Sequence, residues 1–85
     1  MTYAIHSHAL HSMIVRRVTP EALDEVIQNP EQLYQQDDGR TVFQSRIPGP
    51  KQKPHLLMAV VDMNENPPLV VTVISTSKVL KYWKK

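Results

Sequence analysis

Three residues near the amino terminus combine residue type and spacing in a way that suits chemistry on a phosphodiester. His8, Ser12 and Arg16 follow one another at four-residue intervals, so on a helix they lie along one face. Histidine transfers protons near neutral pH, and arginine holds phosphate through paired hydrogen bonds. A metal-independent ribonuclease needs a proton carrier and a cation for the charge that develops on the phosphorus oxygens. His8 and Arg16 are therefore the candidate catalytic residues.

Each of these residues also has a purely structural interpretation. The His8 ring can hydrogen-bond to backbone at a helix–sheet junction. Arg16 can form an ion pair with Glu21 or Asp24, which follow it closely in the chain. For these two residues the sequence leaves both roles open. His55 begins a strand-like segment and is interpreted as structural.

The histidines near the start of the chain do not make a convincing metal site. His8 and His11 stand three residues apart, and His6 is close enough in sequence to act as a third ligand. No cysteine is present, however, and no carboxylate lies nearby in sequence to complete the set. The chain also lacks a P-loop and has only two glycines with which to cradle a phosphate. We expect no metal and no cofactor.

The charges are distributed unevenly, although the net charge is only +2. All eight acidic residues lie between Glu21 and Glu65, whereas the first twenty residues contain Arg16, Arg17 and three histidines and the last twenty contain four lysines. If the two ends meet in the fold, they form a basic surface that suits an anionic partner such as RNA. Strand hydroxyls near the first helix would add donors. The candidate RNA-binding residues are Ser12, Arg17, Thr72, Thr76, Lys78 and Lys81.

The aromatic and basic residues at the carboxyl terminus allow two interpretations. Tyr82 and Trp83 can stack on RNA bases, or they can close the core of a domain that has few large apolar groups. Lys84 and Lys85 can belong to the basic surface, or they can be a solvated tail. The sequence does not choose between these roles.

The composition indicates one folded domain in a reducing compartment. The chain has 85 residues, of which 41% are hydrophobic and 21% are charged, which is ordinary for a globular domain. A secreted domain of this size usually needs disulfides, and cysteine is absent. The apolar runs are too short to cross a bilayer. We expect a single domain over residues 1–85, located in the cytoplasm and without a membrane partner.

The first part of the chain predicts two helices. Residues 7–17 lack Gly and Pro and show a 3.6-residue period, with Ser7 as a plausible N-cap. A second helix is predicted to begin after Thr19, with Pro20 in its first position, and to end at Asn29, which precedes a proline. The residues expected to face the core are Ala9, Leu10, Met13 and Ile14 on the first helix, and Ala22, Leu23, Val26 and Ile27 on the second.

The remainder of the chain predicts strands, because the apolar period changes to two. Two of them, 55–62 and 69–75, are apolar enough to lie at the centre of a sheet. The fold class is α+β, with two N-terminal helices packed on a three- to four-stranded antiparallel sheet and a short C-terminal helical turn at 77–83. The other predicted strands are 32–36 and 41–47, and the residues expected to be buried together are Met13, Leu23, Val60, Val71 and Val73.

Short motifs along the chain together resemble one protein family. The first helix carries His8-Ala9 followed by Met13 and Arg16 at fixed helical offsets, which is an uncommon combination. Through residues 5–83 the chain resembles domain of unknown function 4258, in its cyanobacterial form. The other residues that carry the resemblance are Val18, Thr19-Pro20-Glu21, Asn29-Pro30, Val71-Thr72-Val73-Ile74, Thr76-Ser77-Lys78 and Tyr82-Trp83.

The resemblance implies a fold and, by analogy, an activity. The family is similar in fold to the RelE-like and BrnT-like toxins, which are metal-free ribonucleases of bacterial toxin–antitoxin systems. RNA is then the implied ligand, and an antitoxin is the implied protein partner. The family usually has an arginine where this chain has Ser12. If that arginine contacts phosphate, Arg17 or His11 compensates for it here, or binding is weaker.

The leading hypothesis from sequence is therefore a toxin-type, metal-independent RNA endonuclease, or a degenerate relative that binds RNA without cutting it. The alternative is a non-catalytic protein-interaction module, in which a strand edge or the basic face binds a partner protein. The absence of the family arginine at Ser12 adds weight to that alternative.

Overall fold

A computed structural model describes all residues from 1 to 85. It confirms the mixed α+β character and contains three α-helices and five strands. One 3₁₀ turn, Pro50–Gln52, interrupts the connection between the third and fourth strands. The elements are β1 (Ala4–Ile5), α1 (Ser7–Arg16), α2 (Pro20–Gln28), β2 (Gln32–Gln35), β3 (Thr41–Pro48), β4 (Pro54–Asp62), β5 (Leu69–Thr76) and α3 (Val79–Tyr82).

The five strands form one sheet in the order β1-β5-β4-β3-β2. Strands β2 to β5 pair antiparallel with their sequence neighbours, as predicted. Strand β1 was not predicted. It pairs parallel to β5, with Ala4 opposite Leu69, so the sheet is mixed and five-stranded rather than antiparallel with three or four strands. Two residues are too few for an alternating pattern to show in the sequence.

Both helices α1 and α2 lie on one face of the sheet. Helix α1 packs on β5, and α2 packs on β3 and β4. Alternate strand residues point to this face because the side-chain period of a strand is two. The buried residues on this side are Ala9, Met13, Leu23, Val26, Ile27, Phe43, Leu57, Ala59, Val61, Val70 and Val73.

The buried stripe of α1 is narrower than predicted. Ala9 and Met13 are buried, but Leu10 is 49% exposed and Ile14 is 70% exposed. Because α1 lies over β5 near the edge of the sheet, only the side of the helix that faces β5 is covered. The prediction that Leu10 and Ile14 face the core is wrong.

Local chemistry sets the ends of the helices. The N-cap of α1 is His6 and not Ser7, since the His6 Nδ1 atom accepts a hydrogen bond of 3.0 Å from the His8 amide. For α2 the prediction is confirmed. Thr19 Oγ1 accepts from the Ala22 amide at 3.1 Å, and Pro20 is the first helical residue.

The opposite face of the sheet has its own apolar cluster, which the C-terminal segment covers. Val60 and Val71 contribute to this cluster, so they are not buried together with Met13, Leu23 and Val73 as predicted. Tyr82 and Trp83 pack against this cluster, so of the two roles that the sequence left open for them, the structure shows the packing role. The members are Val42, Leu56, Met58 and Val60, with Tyr34, Val71, Ile74, Val79, Tyr82 and Trp83 packed against them.

Polar contacts hold the C-terminal segment against this face. The fully buried Gln44 donates from Nε2 to Gln32 Oε1 at 2.7 Å and to the Tyr82 carbonyl at 3.2 Å. The backbone amide of Lys84 also donates to Gln32 Oε1, at 3.0 Å. The side-chain ammonium of Lys84 lies 4.5 Å from the centre of the Tyr34 ring. Lys84 is therefore part of the packed structure and not a free tail.

Arg46 connects the same segment to the start of β2. Its guanidinium lies 4.4 Å from the Trp83 ring centre and 2.9 Å from a Glu31 carboxylate oxygen. The hydrogen bonds from Arg46 lower the pKa of the Glu31 carboxyl below its ordinary value. The cation and the ring thus fasten the carboxyl end of the chain to β3. No helix in the structure is long and apolar enough to span a bilayer.

Candidate functional site

The sheet has a basic end and an acidic end. Strands β3 and β5 finish, and β4 begins, at the end where α1 also finishes and α2 starts. The turns at the other end, between β2 and β3 and between β4 and β5, carry carboxylates. The basic end carries Arg16, Arg17, Arg46, Lys51, Lys53, Lys78 and Lys81, together with Glu21 in the first turn of α2 and Glu31, which pairs with Arg46. The acidic end carries Asp37, Asp38, Asp62 and Glu65, together with Arg40 and Lys84.

A cleft of about 290 Å³ opens at the basic end, between the helices and the β3–β4 loop. We refer to it as the arginine cleft. Arg16 and Arg17 line it from α1, Thr19 from the N-terminus of α2, and His55 and Ser75 from β4 and β5. No carboxylate lines it. The remaining lining residues are Val18, Ala22, Ile47, Pro48, Gly49 and Pro50.

Arg16 is held at the cleft by backbone rather than by a carboxylate. Its Nη1 atom donates to the Ser75 carbonyl at 3.2 Å. The ion pair with Glu21 or Asp24 is absent, because the salt bridges of the chain are Arg40–Asp38 and Arg46–Glu31. The rest of the Arg16 fork is free to bind a ligand, since a guanidinium has five N–H donors.

Arg17 reaches the cleft through an unusual backbone conformation. It ends α1 with φ 57° and ψ 41°, in the left-handed region that glycine normally occupies at this position. The amide of Val18 closes the turn by donating to the Met13 carbonyl at 2.9 Å. A non-glycine residue in this conformation costs about 1 kcal/mol or more. The turn places both arginines at one opening.

The loop on the other side of the cleft carries the same kind of conformation. Lys51 has φ 55° and Gln52 has φ 60°, directly after Pro50 of the cleft wall. With Arg17 they are all the non-glycine residues of the chain with positive φ. Such conformations concentrate at ligand sites, where the surrounding structure maintains them. Arg17 lines the cleft, and Lys51 and Gln52 follow directly on one of its walls.

Gly49 and His55 meet in the cleft wall. A Cβ atom on Gly49 would lie 1.8 Å from His55 Nδ1 and 2.6 Å from the Lys53 carbonyl, so only glycine fits there. The Nδ1 atom is 3.2 Å from that carbonyl. A proton carried on Nδ1 is donated to the Lys53 carbonyl, and this contact orients the ring. His55 has a place in the site that its sequence position did not suggest. The signal was the nearby Gly49.

His8 lies elsewhere. It lines a separate cavity at the acidic end together with Thr72, Arg40, Asp62 and Glu65. Its ring makes no hydrogen bond; the backbone atoms of His8 bond instead to His6 and Ser12. Along α1 it is eight residues from Arg16, about 12 Å at 1.5 Å per residue. The structure brings together His8 and Thr72, but it does not bring His8 to the arginine cleft.

Of the other candidate residues, some form hydrogen bonds with near neighbours in the chain, and others line a second groove. Ser12 Oγ donates to the His8 carbonyl at 3.1 Å. Thr76 Oγ1 accepts from the Lys78 amide at 3.1 Å, so it shapes the turn after β5. Lys78 and Lys81 line a groove at the basic end that is distinct from the arginine cleft. No group of three or more His, Cys, Asp or Glu side chains is arranged to hold a metal ion.

These observations define a small α+β protein with a carboxylate-free basic cleft at one end of its sheet. The model of one protein family, described as Domain of unknown function (DUF4258), matches residues 5–75. The chain belongs to this family, and the predicted resemblance is confirmed at that level. No curated protein and no solved structure matches the chain.

Proposed function

We propose that this domain binds RNA through its basic end and holds one backbone phosphate in the arginine cleft. One observation carries the proposal. Arg16, Arg17 and His55 come from two distant parts of the chain and line one cleft from which carboxylates are absent. Guanidinium groups bind phosphate by charge-assisted, paired hydrogen bonds. The phosphate backbone of RNA is the polyanion that such a site fits.

The start of α2 adds to the attraction. The helix runs from Pro20 to Gln28, and its N-terminus opens at the cleft, where Thr19 lies among the lining residues. The positive end of a helix dipole favours a bound anion, and Glu21 in the first turn of α2 offsets part of that attraction. Arg17 also supplies a second guanidinium near Arg16, which fits the idea that it compensates for the family arginine replaced by Ser12.

The resemblance to RelE-like and BrnT-like toxins supports RNA as the ligand, in a cytoplasmic toxin with an antitoxin partner. Metal-independent cleavage would need a proton acceptor and a proton donor beside the phosphate. The arginine cleft offers one imidazole, that of His55, and His8 lies at the acidic end. Binding without cleavage is therefore the better-supported form of the proposal. Cleavage, if it occurs, would use His55 and Arg16.

The proposal is tested by measuring the affinity of fluorescent single-stranded RNA for the wild type and for Arg16→Ala/Arg17→Ala. We expect the variant to bind at least tenfold more weakly, with a shallower dependence of affinity on salt, because two phosphate contacts and their counterions are lost. Arg40→Ala/Lys84→Ala is the matched control, since it also removes two positive charges and both residues lie among the carboxylates of the acidic end. Equal losses in both variants, or no binding by the wild type, would refute the proposal.

The protein-interaction alternative is favoured by a different observation. Leu10, Ile14 and Val15 are 49%, 70% and 66% exposed on the outer side of α1, and exposed apolar groups in a cluster mark contact surfaces. Under this alternative Ile14→Ser abolishes the binding of a protein partner and leaves the RNA affinity unchanged. Co-purification of a tagged wild type and variant from the native host, compared side by side, measures that difference.

A further inference from the structure

A second groove lies next to the arginine cleft at the basic end. It has a volume of about 430 Å³, and Lys53, Lys78 and Lys81 line it, with no carboxylate among the lining residues. None of the three lysines takes part in a salt bridge. We call it the lysine groove. Its other lining residues are Pro54, Ser77, Val79 and Leu80.

The two depressions are neighbours along two segments of the chain. Lys53 of the lysine groove stands two residues before His55 of the arginine cleft, and Ser77 stands two residues after Ser75. Two residues of extended chain span about 6–7 Å. That is about the distance between adjacent phosphates of an extended single strand. The arginine cleft opens on the side of α1 and α2, and the lysine groove opens on the side of α3. One nucleic-acid strand can therefore occupy both by crossing the end of the sheet.

The lysine groove also contains an apolar surface. Leu80 is 85% exposed, more than any other large apolar side chain of the protein, and Val79 beside it is half-buried. The Lys81 ammonium lies 5.3 Å from the centre of the Tyr82 ring, within the range of a cation–π contact. Lysines can contact phosphate while a neighbouring apolar side chain packs on the face of a base. In a duplex the faces of the bases are covered by stacking, so this combination suits a single strand.

We propose that the lysine groove is a second subsite for single-stranded RNA. The strand passes from the arginine cleft across Pro54, with further phosphates at Lys78 and Lys81 and a base against Leu80. This inference rests on the proposed function, because it assumes that one phosphate occupies the arginine cleft. It adds the form of the ligand, its minimum length and its path.

The experiment compares the binding of fluorescent oligouridylates of two and six nucleotides and of a blunt RNA hairpin at fixed salt. We expect the six-nucleotide strand to bind about tenfold or more tightly than the dinucleotide, and the hairpin to bind more weakly than the six-nucleotide strand. In Lys78→Ala/Lys81→Ala we expect the six-nucleotide strand to lose its higher affinity, while the affinity for the dinucleotide stays unchanged. We call the higher affinity of the longer strand the gain with length. Lys84→Ala/Lys85→Ala removes the same charge outside the groove and should keep the gain.

A second variant tests the apolar surface. Leu80→Ser removes the base contact without changing charge, and the high exposure of Leu80 means that the fold should persist, as circular dichroism would verify. We expect Leu80→Ser to weaken the binding of the six-nucleotide strand and to leave the binding of the dinucleotide unchanged. The inference is overturned if the gain with length survives Lys78→Ala/Lys81→Ala, or if the hairpin binds as tightly as the single strand. In either case the proposed function still stands, provided that Arg16→Ala/Arg17→Ala weakens the binding of the dinucleotide.

Discussion

The Arg16 guanidinium donates a hydrogen bond of 3.2 Å to the carbonyl of Ser75 and thereby joins the end of α1 to the end of β5. This bond anchors one nitrogen of the guanidinium on a backbone carbonyl, which remains in place when the Ser75 side chain is substituted. The rest of the fork remains at the arginine cleft. Arg16 is thus both fixed in position and available to an anion.

Arg16→Lys should separate geometry from charge. A lysine keeps the positive charge but cannot bond to the Ser75 carbonyl and to a phosphate with one planar fork. We expect an RNA affinity between that of the wild type and that of Arg16→Ala. The loss of one exposed hydrogen bond should lower the free energy of unfolding by only about 1 kcal/mol. Fluorescence anisotropy and urea denaturation of the same preparations measure both effects, and full affinity in Arg16→Lys would show that the fork has no role.

Gly49→Ala should destabilise the cleft wall. The new Cβ atom would overlap His55 Nδ1 and the Lys53 carbonyl, so both must move. We expect the free energy of unfolding to fall by about 1–3 kcal/mol, the usual cost of overpacking. His55→Ala/Gly49→Ala removes the side-chain clash and should recover part of the loss. A urea midpoint unchanged by Gly49→Ala would contradict the close contact.

Tyr3 should titrate late. Burial, and then the hydrogen bond of 3.0 Å to an Asp24 oxygen, raise the pKa of its hydroxyl from 10.0 to about 12. Because the folded pKa lies above the unfolded one, the bond stabilises the folded state below pH 10, and that contribution is lost as the pH rises through about 12. The tyrosinate absorbance of the wild type compared with Tyr3→Phe measures this pKa. A wild-type curve in which every tyrosine titrates near pH 10 would contradict the contact.

His55 and His8 lead to opposed predictions for any ribonuclease activity. The sequence pattern predicts that His8→Ala and Arg16→Ala reduce it, whereas the cleft geometry implies that His55→Ala does. Loss of a general acid or base typically costs about 10²–10⁴ in rate. Cleavage of defined RNAs in the presence of chelator, normalised to folded protein, decides between the two histidines. A larger loss in His8→Ala than in His55→Ala would move the reaction away from the arginine cleft.

The core substitutions should have unequal effects. Leu23 is fully buried between α2 and the sheet, so Leu23→Ala should lower the free energy of unfolding by about 2–5 kcal/mol. Val71 is only half-buried, and it lies on the opposite face. Val71→Ala should therefore cost less than Leu23→Ala. Chemical denaturation of the two variants tests the two-sided arrangement of the core.

Features that depend on near neighbours in the chain could be predicted well. Thr19 and Pro20 mark the start of α2 because the cap and the first helical position act within one turn. The change of the apolar period to two correctly predicted strands at 41–47 and 55–62. Family membership was likewise visible in the spacing of short motifs.

Features that depend on long-range packing could not be read in this way. The apolar period of α1 includes Leu10 and Ile14 as readily as Ala9 and Met13, and only the position of the helix over β5 leaves the first pair exposed. A hydrophobic period states which side of a helix is apolar, but not how much of that side a neighbour covers.

The candidate site likewise combines features set by near neighbours in the chain with features set by long-range packing. Spacing along one helix placed His8 and Arg16 on a common face, but a common face extends over about 12 Å, and a phosphate is smaller than that. The antiparallel pairing of β4 with β3 and β5 brings His55 beside Arg16, and a missing Cβ on Gly49 admits its ring. The sequence by itself determined the residue types and the local helices and turns. Strand pairing decided which histidine lies near the arginines, because pairing joins segments that are distant in sequence and share no local pattern.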